Sequence, residues 1–194
     1  MIAPPERSAD RDAAIDAVLP HVPSDGWTET ALRHAVGDQA RMLFPGGAPD
    51  LVEAYVDLVD RRMESEAAPL LPDRSLTKRV RALIATRLAL ARDYKAAVRR
   101  AVLFLALPHN APLAARCTAR TVDAIWHAAG DTSADFSWYT KRAILAGVYS
   151  TTLLYWMNDT TSEEDALAFL DRRLADVGRI GKFRARFSTR RTAA

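Results

Sequence analysis

The sequence predicts an all-α protein, a bundle of about nine helices. Apolar residues recur every three or four positions along most of the 194-residue chain, as in amphipathic helices, and no stretch alternates convincingly as a strand would. The apolar content of 49 % is enough for a sizeable core. Cys117 is the single cysteine, which favours a reducing compartment, and the charged N-terminus resembles neither a secretory signal nor a transit peptide.

Three short segments are predicted before the main bundle. A helix over about residues 8–19 ends at a proline, because proline cannot continue a helix. Thr28 is suited to cap the second helix with its hydroxyl. The third segment, around residues 39–44, ends where Pro45-Gly46-Gly47 interrupts the chain. We therefore treat residues 1–47 as a head.

Longer helices follow the head and form a predicted domain over residues 48–178. Prolines, Gly130 and Ser162 mark their boundaries, since Gly130 fits the left-handed position that ends a helix. The helices are expected over about 48–67, from about 76 onward, over 94–105, up to about 128, from about 138 to 157 and from 163 onward. Residues 143–157 carry no charge, so their helix should be buried nearly all round.

Charge is segregated along the chain. Residues 1–66 hold six basic and thirteen acidic residues, a net charge of −7, whereas residues 67–125 have a net charge of +8. Residues 178–194 hold six basic residues and no acid. Since phosphate repels an acidic surface, the head is poorly suited to binding DNA.

No pattern of titratable residues predicts catalysis, a cofactor or a metal site. The four histidines form no Glu-x-x-His motif. Asp123 and His127 lie one helical turn apart and could touch one ion, but no second ligand pair is evident, and His127 is better explained by the helix dipole. Cys117 has no accompanying histidine, so we expect it to be buried by packing.

The segments LPHN, VDAIWHAAGDTSADFSWYTKRA and VYSTT, between Leu107 and Tyr155, resemble the ubiquinone (coenzyme Q) biosynthesis accessory family, the ninth Coq protein. The resemblance implies a TetR-regulator-like helical fold, lipid binding, and support of a late ring-hydroxylation step as a partner rather than as a catalyst. The order of helix, GWT, short helix pair, FPGG and long helix also follows a TetR helix-turn-helix head. Phe44 follows Gly37 by only seven positions, so roughly one turn of the reading helix is missing.

The resemblance places the hydroxylase at the corner before the uncharged helix, and it alone implies partner contacts for Asp123 and Ile125. Trp138 and Tyr139 stand at the start of that helix beside basic residues, a pattern favoured at interfaces. Ordinary packing of this aromatic pair under the preceding loop is the alternative.

The uncharged helix carries a stripe of small residues that allows close approach of a second backbone. This stripe predicts a homodimer interface at Ala143, Ala146, Gly147, Ser150 and Thr151. Apolar pockets lie preferentially between bundle helices, so we expect lipid contacts on another side, at Leu83, Leu103, Trp126, Leu145, Val148, Tyr149 and Leu153. An ordinary central helix of a compact bundle is the alternative.

The tail, residues 179–194, places Ile180, Phe183 and Phe187 among basic residues, as in a short amphipathic helix at an anionic membrane surface. A disordered basic tail is the alternative. Together these features predict a non-catalytic, dimeric accessory protein that binds an isoprenoid quinone precursor or phospholipid. We expect it in the cytoplasm, peripherally attached to the inner membrane, with no specific nucleic acid partner. A ligand-responsive TetR-type regulator is the alternative function.

Overall fold

The computed structural model describes residues 3–72, 74–131, 137–158 and 160–191, with side chains except for those of 137 and 180–191. These residues contain ten α-helices and no strand, which confirms the predicted fold class. The helices are α1 (Ala9–Val18), α2 (Val22–Asp25), α3 (Glu29–Val36), α4 (Ala40–Leu43), α5 (Ala48–Ala67), α6 (Leu76–Leu90), α7 (Lys95–Leu105), α8 (Ala111–Ala128), α9 (Ser137–Trp156) and α10 (Glu163–Arg191).

Local signals in the sequence set several of these boundaries. The Thr28 hydroxyl accepts a hydrogen bond from the backbone N–H of Ala31 at 3.1 Å and caps α3. Gly130 follows α8 with φ of 78°, a conformation that favours glycine. Between α3 and α5 the described chain forms only a 3₁₀ turn and the four-residue α4. A full reading helix is therefore absent from this part of the head, as the spacing predicts.

One continuous hydrophobic core joins the head to the main bundle. It includes Ile15 from α1, Leu51 from α5, Leu83 from α6 and Ile125 from α8, each with at most 1 % of its surface exposed. Helix α5 packs against α6 and α8, and α9 packs against α8 and α10. The bundle therefore surrounds α5 and α8 with helices on several sides.

Trp27, between α2 and α3, connects the head to two helices of the bundle. Its indole Nε1 donates a hydrogen bond to the backbone carbonyl of Ala97 in α7 at 3.0 Å. Its ring lies 4.7 Å from the ring of Tyr55 in α5, centre to centre. These contacts fix the head against both helices.

Arginines of α5 neutralise part of the acidic head. Arg61 bridges Asp12 at 2.6 Å and Asp57 at 3.1 Å, and Arg62 contacts Asp16 at 2.7 Å. The pairs with Asp12 and Asp16 join α1 to α5, whereas the pair with Asp57 lies within α5. Two carboxylates of the head therefore stabilise its packing against the bundle.

The expectation that α9 is buried nearly all round is wrong. Leu145, Val148 and Tyr149 are buried, but Leu154 is 57 % exposed and Ile144 is 39 % exposed. Helices α6, α8 and α10 pack against α9 and leave these two side chains partly open to solvent in the described part of the chain. None of the described helices has both the length and the apolar character that crossing a bilayer requires.

Candidate functional site

An apolar cavity of about 270 Å³ lies between helices α5 to α9. Large aliphatic side chains from four of these helices line it: Val56, Leu88, Val98, Val102, Leu105 and Leu153. Ala106 and Leu154 line the cavity and are also exposed, so they mark the side on which it opens. Its position between bundle helices and its apolar wall suit an apolar ligand.

A buried polar cluster interrupts this apolar wall. The Arg87 Nε donates a hydrogen bond to Oδ1 of Asp60 at 2.8 Å, and the Thr121 hydroxyl donates to Oδ2 at 2.8 Å. Arg87 and Thr121 line the cavity, and all three residues are buried. Both carboxylate oxygens of Asp60 are therefore satisfied by protein donors.

Burial and charge oppose each other within this cluster. Desolvation raises the pKa of Asp60 above its ordinary value, although Arg87 and the two hydrogen bonds counteract it. Desolvation alone would lower the pKa of Arg87, but Tyr149 and Asp60 outweigh it, and the pKa is raised. Arg87 is therefore held in its charged form, and the Asp60 carboxyl group is its hydrogen-bonded partner at 2.8 Å.

Two tyrosines and a cysteine also line the cavity. Burial raises the pKa of Tyr55 and of Tyr149 to about 12, so both hydroxyls stay protonated near neutral pH. The Tyr149 ring centre lies 5.2 Å from the Arg87 guanidinium carbon. Cys117 is buried, as predicted, and its pKa is raised to about 11, mainly by burial, so the thiol is poorly prepared to act as a nucleophile.

A groove of about 510 Å³ lies between α8 and α9. Ala114 and Thr118 of α8 line both this groove and the cavity, so the two depressions adjoin. Asp123, Trp138 and Arg142 lie along the groove. The groove and the cavity therefore share a wall formed by small side chains.

The aromatic corner is organised around Arg142. Its Nε donates a hydrogen bond to the Asp123 carboxylate at 2.5 Å, and its guanidinium lies 3.7 Å from the centre of the Trp138 ring. Tyr139 contacts Trp138 edge to face at 4.8 Å and is itself 70 % exposed. Asp123, Trp138 and Tyr139, predicted as partner contacts, thus lie on one surface.

Ile125 does not belong to that surface. It is fully buried in the core, so it cannot contact a partner protein as predicted. Asp123 and Ile125 are two positions apart on α8, and such residues point in different directions on a helix.

The seven residues predicted to contact lipid lie in four different environments. Tyr149 and Leu153 line the main cavity. Trp126, Leu145 and Val148 line a separate cavity of about 140 Å³ between α6, α8, α9 and α10. The remaining two require correction: Leu83 of α6 lies fully within the core. Leu103 of α7 is 63 % exposed, because it follows the buried Ala101 by two positions and so points to another side of its helix.

The small-residue stripe of α9 is partly exposed in the single chain. Ala143, Gly147 and Thr151 are exposed, whereas Ala146 and Ser150 are half-buried. A methyl group added at Gly147 would meet nothing within 4 Å. The stripe thus has room for a second backbone, and dimerisation stays a prediction.

Two further predictions concern the tail and a metal site. Helix α10 extends to Arg191, but the side chains of Ile180, Phe183 and Phe187 lie outside the described residues. Within the described residues, no three histidine, cysteine, aspartate or glutamate side chains are grouped to hold a metal ion. Asp123, which could have touched an ion with His127, pairs with Arg142 instead.

Arg87, Asp60 and Thr121 are the functional candidates that the sequence patterns missed. A usable signal existed, because Arg87 follows Leu83 by four positions and so falls on the apolar side of α6. A charged residue on a buried helix face needs a partner. That partner is on another helix, so local spacing does not identify it.

Comparisons with known proteins identify relatives over most of the chain. The COQ9 family model matches residues 111–181, which covers α8, α9 and the first part of α10. The mitochondrial ubiquinone biosynthesis protein COQ9 of Bos taurus is 33 % identical over 181 residues, covering 86 % of this chain and 57 % of the relative. The coq9 protein of Schizosaccharomyces pombe is 33 % identical over 165 residues, covering 82 % of this chain and 66 % of the relative.

A solved structure supports the fold. The crystal structure of the TetR transcriptional regulator from Nitrosomonas europaea ATCC 19718 superposes with a TM-score of 0.69 at 23 % identity, covering 87 % of this chain and 97 % of the regulator. This likeness shows a TetR-like fold. The chain spans 57 % of the length of the Bos taurus and Homo sapiens relatives it matches. With matched relatives over most of its sequence and this fold, the chain belongs to the COQ9 family.

Proposed function

We propose that the protein is a non-catalytic, lipid-binding accessory protein of ubiquinone biosynthesis. In this proposal it binds an isoprenoid precursor and presents it to the ring hydroxylase of the pathway, or stabilises that enzyme. The observation that carries the proposal is the apolar cavity, which shares the wall formed by Ala114 and Thr118 with the groove beside Trp138. The names of the relatives supply the pathway.

The groups around the cavity favour binding over catalysis. Tyr55, Tyr149 and Cys117 all have raised pKa values, so near neutral pH they hold their protons and make poor bases or nucleophiles. Asp60 is engaged by Arg87 and Thr121 and is not free to take a proton from a ligand. An accessory role agrees with these states.

Two features argue against the alternative of a DNA-binding regulator. Between Gly37 and Leu43 the head forms only a 3₁₀ turn and a single-turn helix, which is too short to cross a major groove. The head and nearly all of α5 also carry a net charge of −7 over residues 1–66, which phosphate would repel.

Presentation to a partner would use the corner formed by Asp123, Trp138 and Tyr139. Tyr139 offers an exposed aromatic ring, and the Trp138 ring is held in place by Arg142. Aromatic residues of this kind commonly anchor interfaces. Dimerisation through α9 and attachment of the tail to an anionic membrane complete the proposal.

Lipid binding is tested by filling the cavity. Ala101→Phe places an aromatic ring in the cavity wall, whereas Leu103→Phe changes an exposed position on the same helix. Native mass spectrometry of protein mixed with a short-chain isoprenyl quinone should show a complex with the wild type and with Leu103→Phe, and loss of most of it with Ala101→Phe. A folded Ala101→Phe protein that binds like the wild type would refute the cavity as the lipid site.

A further inference from the structure

We propose that residues 3–8, the strap, close a side window of the cavity, framed by Asp57 of α5 and Arg120 of α8, and that release of the strap opens the cavity there. The open side of the cavity lies at Ala106 and Leu154, at the end of α7 and on α9, so the side window is a second way in. Access through this window does not depend on what the cavity binds.

The wall of the cavity is thin at Cys117. This residue lines the cavity, and its Sγ accepts a long hydrogen bond from Nη2 of Arg120 at 3.9 Å. On its other side, Nη1 of Arg120 donates to the backbone carbonyl of Ala3 at 3.2 Å and to Oε1 of Glu53 at 2.8 Å. One side chain, that of Arg120, therefore connects the thiol in the cavity wall to the strap on the surface.

The strap is also fixed to the α5 side of the window. Arg7 donates from Nε and Nη2 to the two carboxylate oxygens of Asp57, at 2.9 and 2.7 Å. Asp57 directly follows Val56, which lines the cavity, and Arg120 follows Cys117 by three positions. Both attachment points of the strap thus lie within one helical turn of a residue in the cavity wall.

The strap is exposed, whereas the groups that it contacts are buried. Residues 3–8 are not helical, and all of them are exposed except Pro5, which is half-buried. The side chains of Asp57 and Arg120 are only 6 % and 10 % exposed. Because small side chains and a partly exposed ion pair stabilise a fold little, the strap can detach while the helices stay packed.

Release of the strap would bring solvent to the polar part of the cavity wall. Cys117 and Thr121 are four positions apart on α8 and so share one face of that helix. The Thr121 hydroxyl donates to Asp60, which pairs with Arg87. The window would therefore admit water and small solutes to this buried pair without passage through the open side of the cavity.

Cys117 reports the state of the window, because it is the single cysteine of the chain and it lines the cavity. Its modification by N-ethylmaleimide in the folded protein is followed over time by intact-mass spectrometry. Arg7→Gln removes the contact with Asp57, and Arg7→Glu adds repulsion. Arg62→Gln is the matched control, since Arg62 joins α5 to Asp16 of α1 rather than to the strap.

Arg7→Gln should raise the rate of modification about fivefold, the factor equivalent to ~1 kcal/mol, near the upper end for a partly exposed ion pair. Arg7→Glu should raise the rate further, and Arg62→Gln should leave it at the wild-type value. Urea unfolding of each variant gives the rate expected from global unfolding alone. The rise in the Arg7 variants should exceed that rate.

Arg120→Gln tests whether both attachment points act on one window. Burial raises the pKa of the Cys117 thiol and Arg120 opposes that rise, so losing Arg120 would by itself slow the chemical step. Faster modification of Arg120→Gln therefore reports access to the thiol. In this background Arg7→Gln should add clearly less than fivefold, because the strap has already lost its attachment to α8.

Three results would overturn the proposal. Wild-type rates in both folded Arg7 variants would show that the thiol is reached through the open side of the cavity alone. A rise no larger than the loss of global stability allows would assign it to unfolding of the whole protein. Independent, multiplicative effects of Arg7→Gln and Arg120→Gln would show that the two contacts do not close one window.

Discussion

Replacing Arg87 with methionine should strongly destabilise the fold. The change leaves the Asp60 carboxylate buried with Thr121 as its remaining hydrogen-bond donor. The side chains of Arg87 and Asp60 are only 8 % and 7 % exposed, so solvent screens their interaction little. Breaking such a buried pair from one side costs about 3–5 kcal/mol, or roughly 6–20 °C in melting temperature for a chain of this size.

Urea unfolding followed by circular dichroism measures this loss, with Asp60→Asn/Arg87→Met and Arg81→Met as controls. The double variant should lose less stability than Arg87→Met alone, because it leaves no unpaired charge in the core. Arg81→Met removes only an exposed pair with Asp171 and should lose no more than about 1 kcal/mol. A loss below about 1 kcal/mol in Arg87→Met, or a double variant as unstable as the single one, would refute the assignment of a coupled buried pair.

The loss of folding stability caused by Arg87→Met should also depend on pH. Burial raises the pKa of Asp60 in the folded protein, and removing Arg87 removes the main opposing influence. The folded variant then binds a proton more readily than the unfolded chain, so its stability rises as pH falls below the raised pKa toward the ordinary value near ~3.9. The difference in free energy of unfolding between variant and wild type should therefore become smaller in acid. A difference that grows between neutral and mildly acidic pH would contradict this.

Three further predictions concern surfaces. Trp138→Ala should weaken binding of the hydroxylase about thirtyfold in a pull-down titration while leaving the melting temperature and lipid uptake unchanged; an unfolded or lipid-free variant would instead make Trp138 a core residue. Gly147→Leu should shift the sedimentation profile from dimer to monomer, since Gly147 is exposed on the α9 stripe, and a wild-type monomer at micromolar concentration would exclude that dimer. Removing residues 179–194 deletes six basic residues, each contributing about 1 kcal/mol at an anionic surface, so flotation with anionic liposomes should fall; unchanged flotation would place the anchor elsewhere.

Much of the fold is predictable because its signals are local. The cap at Thr28, the left-handed Gly130 and the short path from Gly37 to Phe44 each depend on residues only a few positions apart. The one-turn helix Val22–Asp25 is an exception, since its turn residues predict a loop equally well.

The site is harder to predict because it depends on contacts between distant residues. Arg87 and Asp60 are 27 positions apart, and Thr121 is 61 positions from Asp60. Apolar spacing identifies the inner side of a helix but not whether that side faces a cavity or solid core. Leu83 and Tyr149 therefore look alike in sequence, although only Tyr149 lines the cavity.

The contacts of Trp27 give the shortened head a use that needs no DNA. Through Tyr55 this residue supports one wall of the cavity from behind, and through the Ala97 carbonyl it holds the helix that carries Val98 and Ala101. The head therefore stabilises the positions of α5 and α7 whether or not it binds DNA. If the cavity holds a lipid as proposed, loosening the head would let these two walls move apart, and retention of the lipid would then depend on a segment that does not line the cavity.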